Sequence, residues 1–545
     1  MWAKRFVLAL GICLIAAEAA EAKTKRSSGP RLMQGLGEIH HTVSTKNVQA
    51  QKFFDQGLAL VYGFNHNEAR RCFERAAEFD PKLAMAWWGV ALALGPNYNF
   101  PADPEREKAA YDAVQRAIAL QENASEPESA YINALAFRYA KDPKADLHQL
   151  DVDYRDAMSK LVKSYPDDLD GATLYAGSMM NLHPWQLWLH DGRPNEGTEE
   201  IVAVLESVLA RDPNHLGANH YYIHAIEASP HPERALASAA RLEKLAPAAG
   251  HLVHMPSHIY SRVGNQIASA QVNIRAVAAD QKFINRKPEP GLETAMLSLH
   301  NLHFLAYANC MSGNFAEAKR AADKLVAQVQ PQVKEMPVLE GFLPIPFLVL
   351  IAFERWNDIV KLAAPDASFL ITTAVWRFAR GMALANLGKT DSAEKEKLAW
   401  QESVSKIPPD TIIIELNTAA AVFKIHQNLL SAAIARSRHD DKGVVHFMAQ
   451  AIAAQDSLNY SEPPAWYPSA RPLLGRVLLA AGQPIEAEKV FRADLERNPR
   501  NGRALAGLHD CLKAQMRFYE AEQVEQQLRD AQSKIDTVST ARNRE

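Results

Sequence analysis

Small and bulky apolar positions recur along this chain at a fixed spacing. Counting Ala50 as position 1 in AQKFFDQGLALVYGFNHNEARRCFERAAEFDP, Phe53 falls at 4, Gly57 at 8, Leu60 at 11, Ala69 at 20, Phe73 at 24, Ala76 at 27 and Pro81 at 32. Apolar residues three and four apart, in two blocks divided by a polar turn, predict two amphipathic helices packed on each other. The same register fits from Pro468, with Gly475, Leu478, Gly482, Ala487, Phe491 and Pro499 at 8, 11, 15, 20, 24 and 32. From Ala374 it places Gly381, Leu384, Gly388 and Ala393 at 8, 11, 15 and 20. Two more copies abut with a 34-residue step: Leu216 opens one, with Ala235 at 20 and Pro247 at 32, and Gly250 opens the next, with Gly264 at 15 and Ser269 at 20. A 15-residue insertion, Ile284 to Ser298, is expected before a copy opening at Leu299, with Gly313 at 15 and Ala318 at 20. Strand-type alternation is rare and alanine abundant, so almost no sheet is expected.

A period of about 34 residues with small side chains where helices meet resembles the tetratricopeptide repeat (TPR). The resemblance implies an all-α fold, a right-handed helical-hairpin solenoid in which each hairpin buries its apolar face on its neighbours. About nine to eleven hairpins are expected, several degenerate or carrying inserted loops such as GPNYNFPADPE and HPWQLWLHDGRPNEGT. The expected segments are a flexible leader over 23–45, an N-terminal array over 46–330, a proline-containing break over 331–350 (within QPQVKEMPVLEGFLPIP), a C-terminal array over 351–532 and a polar tail over 533–545. Beyond the repeat itself, FNHNEARRCFERAAEFDPKLAMAWWGVALALGPNYN, GANHYYIHAIEASPHPERAL, GHLVHMPSHIYSRVG and EPPAWYPSARPLLGRVLLAAGQPIEAEKVFRADLERNP resemble a family of exported bacterial TPR proteins, over essentially the whole mature chain. That resemblance implies architecture and export and leaves the chemistry to the residues.

The candidate chemistry is histidine. Nine of the 19 histidines fall between His215 and His303. With position 4 of a first helix at 0° and about 100° per residue, packing positions 8 and 11 lie at ~40° and ~340°. Positions 2, 5, 9 and 12 lie at ~160°, ~100°, ~140° and ~80°, a separate stripe. In the three consecutive copies opening at Leu216, Gly250 and Leu299, position 5 is His220, His254 and His303, position 9 is His224 and His258, and position 2 is His251 and His300. Position 12 is Glu227, Ser261 and Cys310. The TPR resemblance implies that this stripe lines the concave face, the ligand groove over 216–311. One histidine there would be an ordinary groove residue, but a metal-free cluster of seven crowds imidazoles that repel once protonated. The H-x3-H pairs His220/His224 and His254/His258 suit copper, zinc or iron, among which imidazole alone does not choose. Glu227, the one carboxylate of the stripe, is the candidate catalytic residue, with direct ligation or orientation of an imidazole as its other readings; Cys310 reads as a packed small residue.

Composition narrows the setting. The 545 residues are 48% hydrophobic and 23% charged, with a formal net charge of −3, which gives no electrostatic basis for nucleic acid or an anionic membrane as partner. MWAKRFVLALGICLIAAEAAEA has the basic start, short apolar run and A-x-A ending of a signal peptide over 1–22, cleaved near Ala22, so a periplasmic or secreted protein is expected. Its apolar run is shorter than the ~20 residues a membrane span needs. After cleavage Cys72, Cys310 and Cys511 remain, an odd and sparse set that makes no disulfide framework. Met179, Met180, His183, Trp185, Trp188 and His190 read first as core at helical spacing, with a loop folding over the histidine copies as a lid for the alternative, and tandem His40-His41 falls in the leader. Three functions are compatible with the sequence: a binding protein whose groove holds a protein or peptide partner, a small ligand or a metal; a metal-dependent enzyme; and a plain scaffold for envelope assembly.

Overall fold

A computed structural model of the chain describes residues 29–285, 292–414 and 416–542. The expected signal peptide, residues 1–22, lies outside them. The architecture is all-α, in antiparallel hairpins of the TPR type. The first helices are α1 (Val48–Tyr62), α2 (His66–Phe79), α3 (Ala84–Leu94), α4 (Pro104–Ala119), α5 (Glu126–Ala136), α6 (Leu147–Ser164), α7 (Leu169–Met180), α8 (Thr198–Arg211), α9 (Leu216–Glu227) and α10 (Leu236–Leu245). They pair as α1/α2, α3/α4, α5/α6, α7/α8 and α9/α10. Next come α11 (Gly250–His254), α12 (Pro256–Arg262), α13 (Gln266–Ile284) and α14 (Leu292–Ser312). Later hairpins include Leu370–Asn386 with Thr390–Ser405, Ala419–Ser437 with Asp441–Asp456, Arg471–Ala480 with Pro484–Arg497, and Gly502–Ala514 with Phe518–Arg542.

Two compact units emerge. One comprises the described residues up to Ile259 with those of Arg275–Ser298; the other comprises Tyr260–Ile274 with those from Leu299 onward. The division therefore does not fall at the 331–350 break, which instead folds as a 3-10 turn, Pro337–Phe342, followed by the short helix Ile345–Ala352. The expected insertion before Leu299 is partly helix, since α14 begins at Leu292. The final helix runs to Arg542, past the expected start of the polar tail at 533. Ile412–Ile414 and Asn417–Thr418 form a minimal antiparallel pair, the two named strands among the described residues.

The repeat register has a direct packing cause. A Cβ built on Gly57 would lie 2.6 Å from the Phe73 ring, and one on Gly89 would lie 2.4 Å from the same ring. Phe73 is thus clamped between two glycines, one on its own hairpin and one on the next. The second unit repeats the device, with Gly475 and Gly507 closing on Phe491 at 2.5 and 2.1 Å. At position 15, Gly264, Gly313, Gly388 and Gly482 all have positive φ, between +72° and +85°. In the first copy that position is Phe64, with φ +53°, a conformation that costs a bulky residue of order 1–3 kcal/mol.

From Met33 onward, the described part of the segment before α1 is tied to the fold. Met33 N–H donates to Gln56 Oε1 at 2.7 Å, Ser44 N–H donates to Glu128 at 2.6 Å, and Ala248 N–H donates to the Gly35 carbonyl at 2.8 Å. Helix α1 in turn lies against α9. No helix among the described residues is long and apolar enough to cross a membrane.

Candidate metal centre

Helices α9 and α11 carry the site, in the first unit. The sequence from Gly250 reads as one helix, but Pro256 lacks the N–H that would continue the ladder, so α11 ends at His254 and α12 starts beyond Met255. The predicted phase survives this break. His220, His224, His251, His254, His258 and Glu227 are all buried, none more than 5% exposed. The expectation of an open concave groove is corrected here: Phe64, Tyr98 and Trp185 cover the stripe. The Phe64 ring lies 4.5 Å from that of His220, 5.6 Å from His224 and 5.7 Å from His251. Tyr98 lies 5.0 Å from His224, and Trp185 stacks on Tyr98 at 5.6 Å. The Trp185 loop is tied down where Trp188 Nε1–H donates to the Ala225 carbonyl at 2.7 Å.

Two groups of ligand atoms form on this stripe. In each, one donor atom per residue lies within 4.8 Å of the others: His220, His224 and His251 in the first, and His224, Glu227 and His258 in the second. Tautomers follow from the partners. His220 Nδ1 is 2.5 Å from the Tyr62 carbonyl, which only accepts, so the proton sits on Nδ1. His224 Nδ1 donates to Glu227 Oε1 at 3.0 Å. Both Nε2 atoms are left with bare lone pairs, buried and without a hydrogen-bond partner among the described residues. Burial, reinforced by the neighbouring His224, holds His220 well below its usual pKa, so it stays neutral.

Glu227 accepts a second imidazole, His258 Nδ1–H, at 2.6 Å. His258 Nε2 then faces His254 Nε2 at 2.8 Å, and Ser257 Oγ lies 3.3 Å from His254 Nδ1. One assignment satisfies all of these contacts: Ser257 donates to His254, His254 to His258, and His258 to Glu227. Burial pushes the Glu227 carboxyl up, but the electrostatic pull and hydrogen bonds of the His224 and His258 Nδ1–H groups outweigh it and hold Glu227 ionised, below the usual carboxylate range.

The other predicted residues lie in the second unit, on α14. His303 is buried against Phe342 and Tyr467, and burial pulls its pKa down to about 3, as for a neutral core histidine. His303 joins no ligand group among the described residues. The His300 ring packs on Phe304 at 5.5 Å, and Cys310 is a buried free thiol pushed up to about 12 by burial.

Sequence reasoning missed a polar knot under the first group. Asp170 accepts from Tyr62 Oη–H at 2.6 Å and His41 Nδ1–H at 2.8 Å, and lies 3.2 Å from His215 Nε2. His215 Nδ1 accepts the Ala218 N–H as N-cap of α9, which leaves its proton on Nε2, facing Asp170. Burial pushes Asp170 up, but hydrogen bonds from His215 and His41 and the charge on His41 bring it well below the usual range. Burial pulls His41 down, yet the Asp170 hydrogen bond and charge leave it raised above 6.5. The signs are opposite: the Asp170 contribution is lost as pH falls below ~3.9, and the His41 contribution as pH rises past 6.5 through its folded value. Stability of the first unit is therefore expected to peak between about pH 4 and 6.5, and Asp170→Asn to cost roughly 2–4 kcal/mol there and flatten both flanks. Urea midpoints across pH 3–9 measure this; an Asp170→Asn profile parallel to the parent's would dissociate the knot from the pH dependence.

The fold and site together define an all-α protein of TPR-type hairpins with a buried multi-histidine cluster. No protein-family model matches the chain, and no curated protein is similar to it. Among solved structures, a human IFIT1 dimer with PPP-AAAA is 10% identical over 89% of this chain and 91% of that one, at a TM-score of 0.33. Yeast Tom70 is 12% identical over 91% of this chain and all of that one, at a TM-score of 0.29. Likeness at that level carries neither protein's ligands or partners to this chain.

Proposed function

We propose that this is an exported binding protein of the TPR type whose first unit holds a transition-metal ion on His220, His224 and His251. The supporting observation is the pair of buried Nε2 lone pairs on His220 and His224, each backed by an Nδ1–H already given to a carbonyl or carboxylate. That is how metal-ligating imidazoles are oriented in proteins. A tetrahedral ion at ~2.0–2.1 Å needs donors about 3.3 Å apart, so donors within 4.8 Å close on it by side-chain rotation. Three neutral nitrogens without thiolate suit zinc, copper or iron. The surrounding hairpin faces would serve a protein or peptide partner, and export follows from the N-terminal sequence.

A metal-dependent enzyme is the second reading. It is favoured by the Ser257–His254–His258–Glu227 hydrogen-bond chain, a route along which a proton can move beside the metal group.

Elemental analysis of purified mature protein from metal-replete cells is expected to give about one equivalent per chain, lost in His224→Ala and kept in His446→Ala, whose ring bonds Gln450 on an exposed helix face. A metal-free parent, or equal content in both variants, rejects the metal site. Assay for turnover with and without metal separates the two readings.

A further inference from the structure

A second site adjoins the histidines and is independent of any metal. In the first unit, residues of α1, α2, α3, α6, α7 and α9 and of the loops after α1, α3 and α5 line a cavity of about 40 Å³, Arg138, Asn97, His66, Tyr154, Tyr98 and Phe64 among them. At ~10–15 Å³ per water-sized group, it admits about three such groups. Arg138, Asn97 and His66 are 4%, 7% and 3% exposed. Each keeps one buried polar atom without a hydrogen-bond partner among the described residues: Arg138 Nη2, Asn97 Nδ2 and His66 Nδ1. Buried polar atoms left without a partner are costly and rare, so three around one cavity indicate a ligand.

The rest of each side chain is committed, which fixes what the orphans offer. Arg138 Nε–H donates to Asp151 at 3.1 Å, and its guanidinium lies 5.1 Å from the Tyr154 ring centroid. Asn97 Oδ1 accepts the N–H groups of Asn99 and Phe100 at 2.9 and 3.0 Å, leaving the amide NH2 as a donor. His66 is bonded to backbone at Gly95 and Ala93, so its Nδ1 is a bare acceptor. Burial, then the Arg106 charge, lowers His66 to about 3, so it remains an acceptor at neutral pH. The charge balance nearby is positive: Arg138 pairs with Asp151, Arg106 adds a second cation near His66 with its guanidinium on the Ala93, Leu94 and Gly95 carbonyls, and burial pushes Glu107 up to about 7.

We infer that this cavity binds a small oxyanion bearing one hydroxyl, of the bicarbonate class, with its oxygens on Arg138 and Asn97 and its O–H donated to His66 Nδ1. Two donors, one of them cationic, and one acceptor match three oxygens of which one carries a proton. Nitrate has the same size and charge but no proton to give.

The test is line broadening of 13C-bicarbonate at pH 8 on titration with the full mature chain, competed by unlabelled bicarbonate or nitrate at constant ionic strength. Saturable bicarbonate binding is expected, with nitrate at least ten-fold weaker. Asn97→Asp keeps the oxygen that caps the turn and replaces the donor by a negative charge; it is expected to weaken binding at least ten-fold with an unchanged helical spectrum. No saturable binding, nitrate equal to bicarbonate, or unchanged affinity in folded Asn97→Asp each overturns the assignment. Should Asn97→Asp fail to fold, the anion comparison on the parent decides. Chelated protein is expected to bind equally, even if the metal proposal fails; loss of binding on chelation would place the anion on a metal and overturn the cavity site.

Discussion

Gly57→Trp is expected to abolish folding of the first unit, with loss of most of its cooperative urea transition. The Phe73 ring already stands where a Cβ at 57 would go, 2.6–2.8 Å away. It has no retreat, because Gly89 closes on it from the next hairpin. Overpacking ordinarily costs ~1–3 kcal/mol when neighbours can shift, and here an indole would have to displace a fully buried ring held on both sides. Gly482→Ala is the contrast: nothing among the described residues lies within 4 Å of the added Cβ, and the left-handed backbone is penalised by about 1–2 kcal/mol. An unchanged midpoint for Gly57→Trp would break the packing register on which the repeat assignment rests.

Glu227→Ala is the second large effect. One carboxylate, 1% exposed, receives the Nδ1–H groups of both His224 and His258. Its removal leaves two buried donors, at ~1–3 kcal/mol each, so a loss of roughly 2–6 kcal/mol is expected. Metal affinity should fall a further ~10–100-fold, because the carboxylate fixes the tautomer that aims His224 Nε2 outward. Glu227→Gln should retain part of the stability, its amide oxygen still serving one ring, while the amide NH2 opposes the other. Denaturant midpoints and metal titration read the two effects separately. Full stability with full metal affinity would show that Glu227 orients nothing.

The face shared by five histidines was legible because it depends only on helical phase. A repeat step of about 34 residues, at about 100° per residue within each helix, returns His220 and His254 to one direction, and His224 and His258 likewise. A proline break after His254 does not undo it. Burial was not legible, because the covering groups come from other places in the chain. Phe64 occupies a position where four other copies have glycine, and nothing in repeat spacing says that its ring will turn onto His220. The His41–Asp170–His215 knot draws on three separate segments, so no local pattern announces it. His303 shows the opposite limit: it shares the predicted phase, yet its neighbours are Phe342 and Tyr467.

The bond from His220 to the Tyr62 carbonyl joins residues 158 apart in sequence. Repeat arrays fold rapidly and piecemeal because each hairpin answers only to the next. Here the first helix cannot complete its contacts until some four hairpins have followed it out of the export channel or the ribosome. Loop closure over that length makes the first unit a slow, all-or-none folder. Its early hairpins should thus remain sensitive to protease until α9 docks, and become resistant together in a single late step.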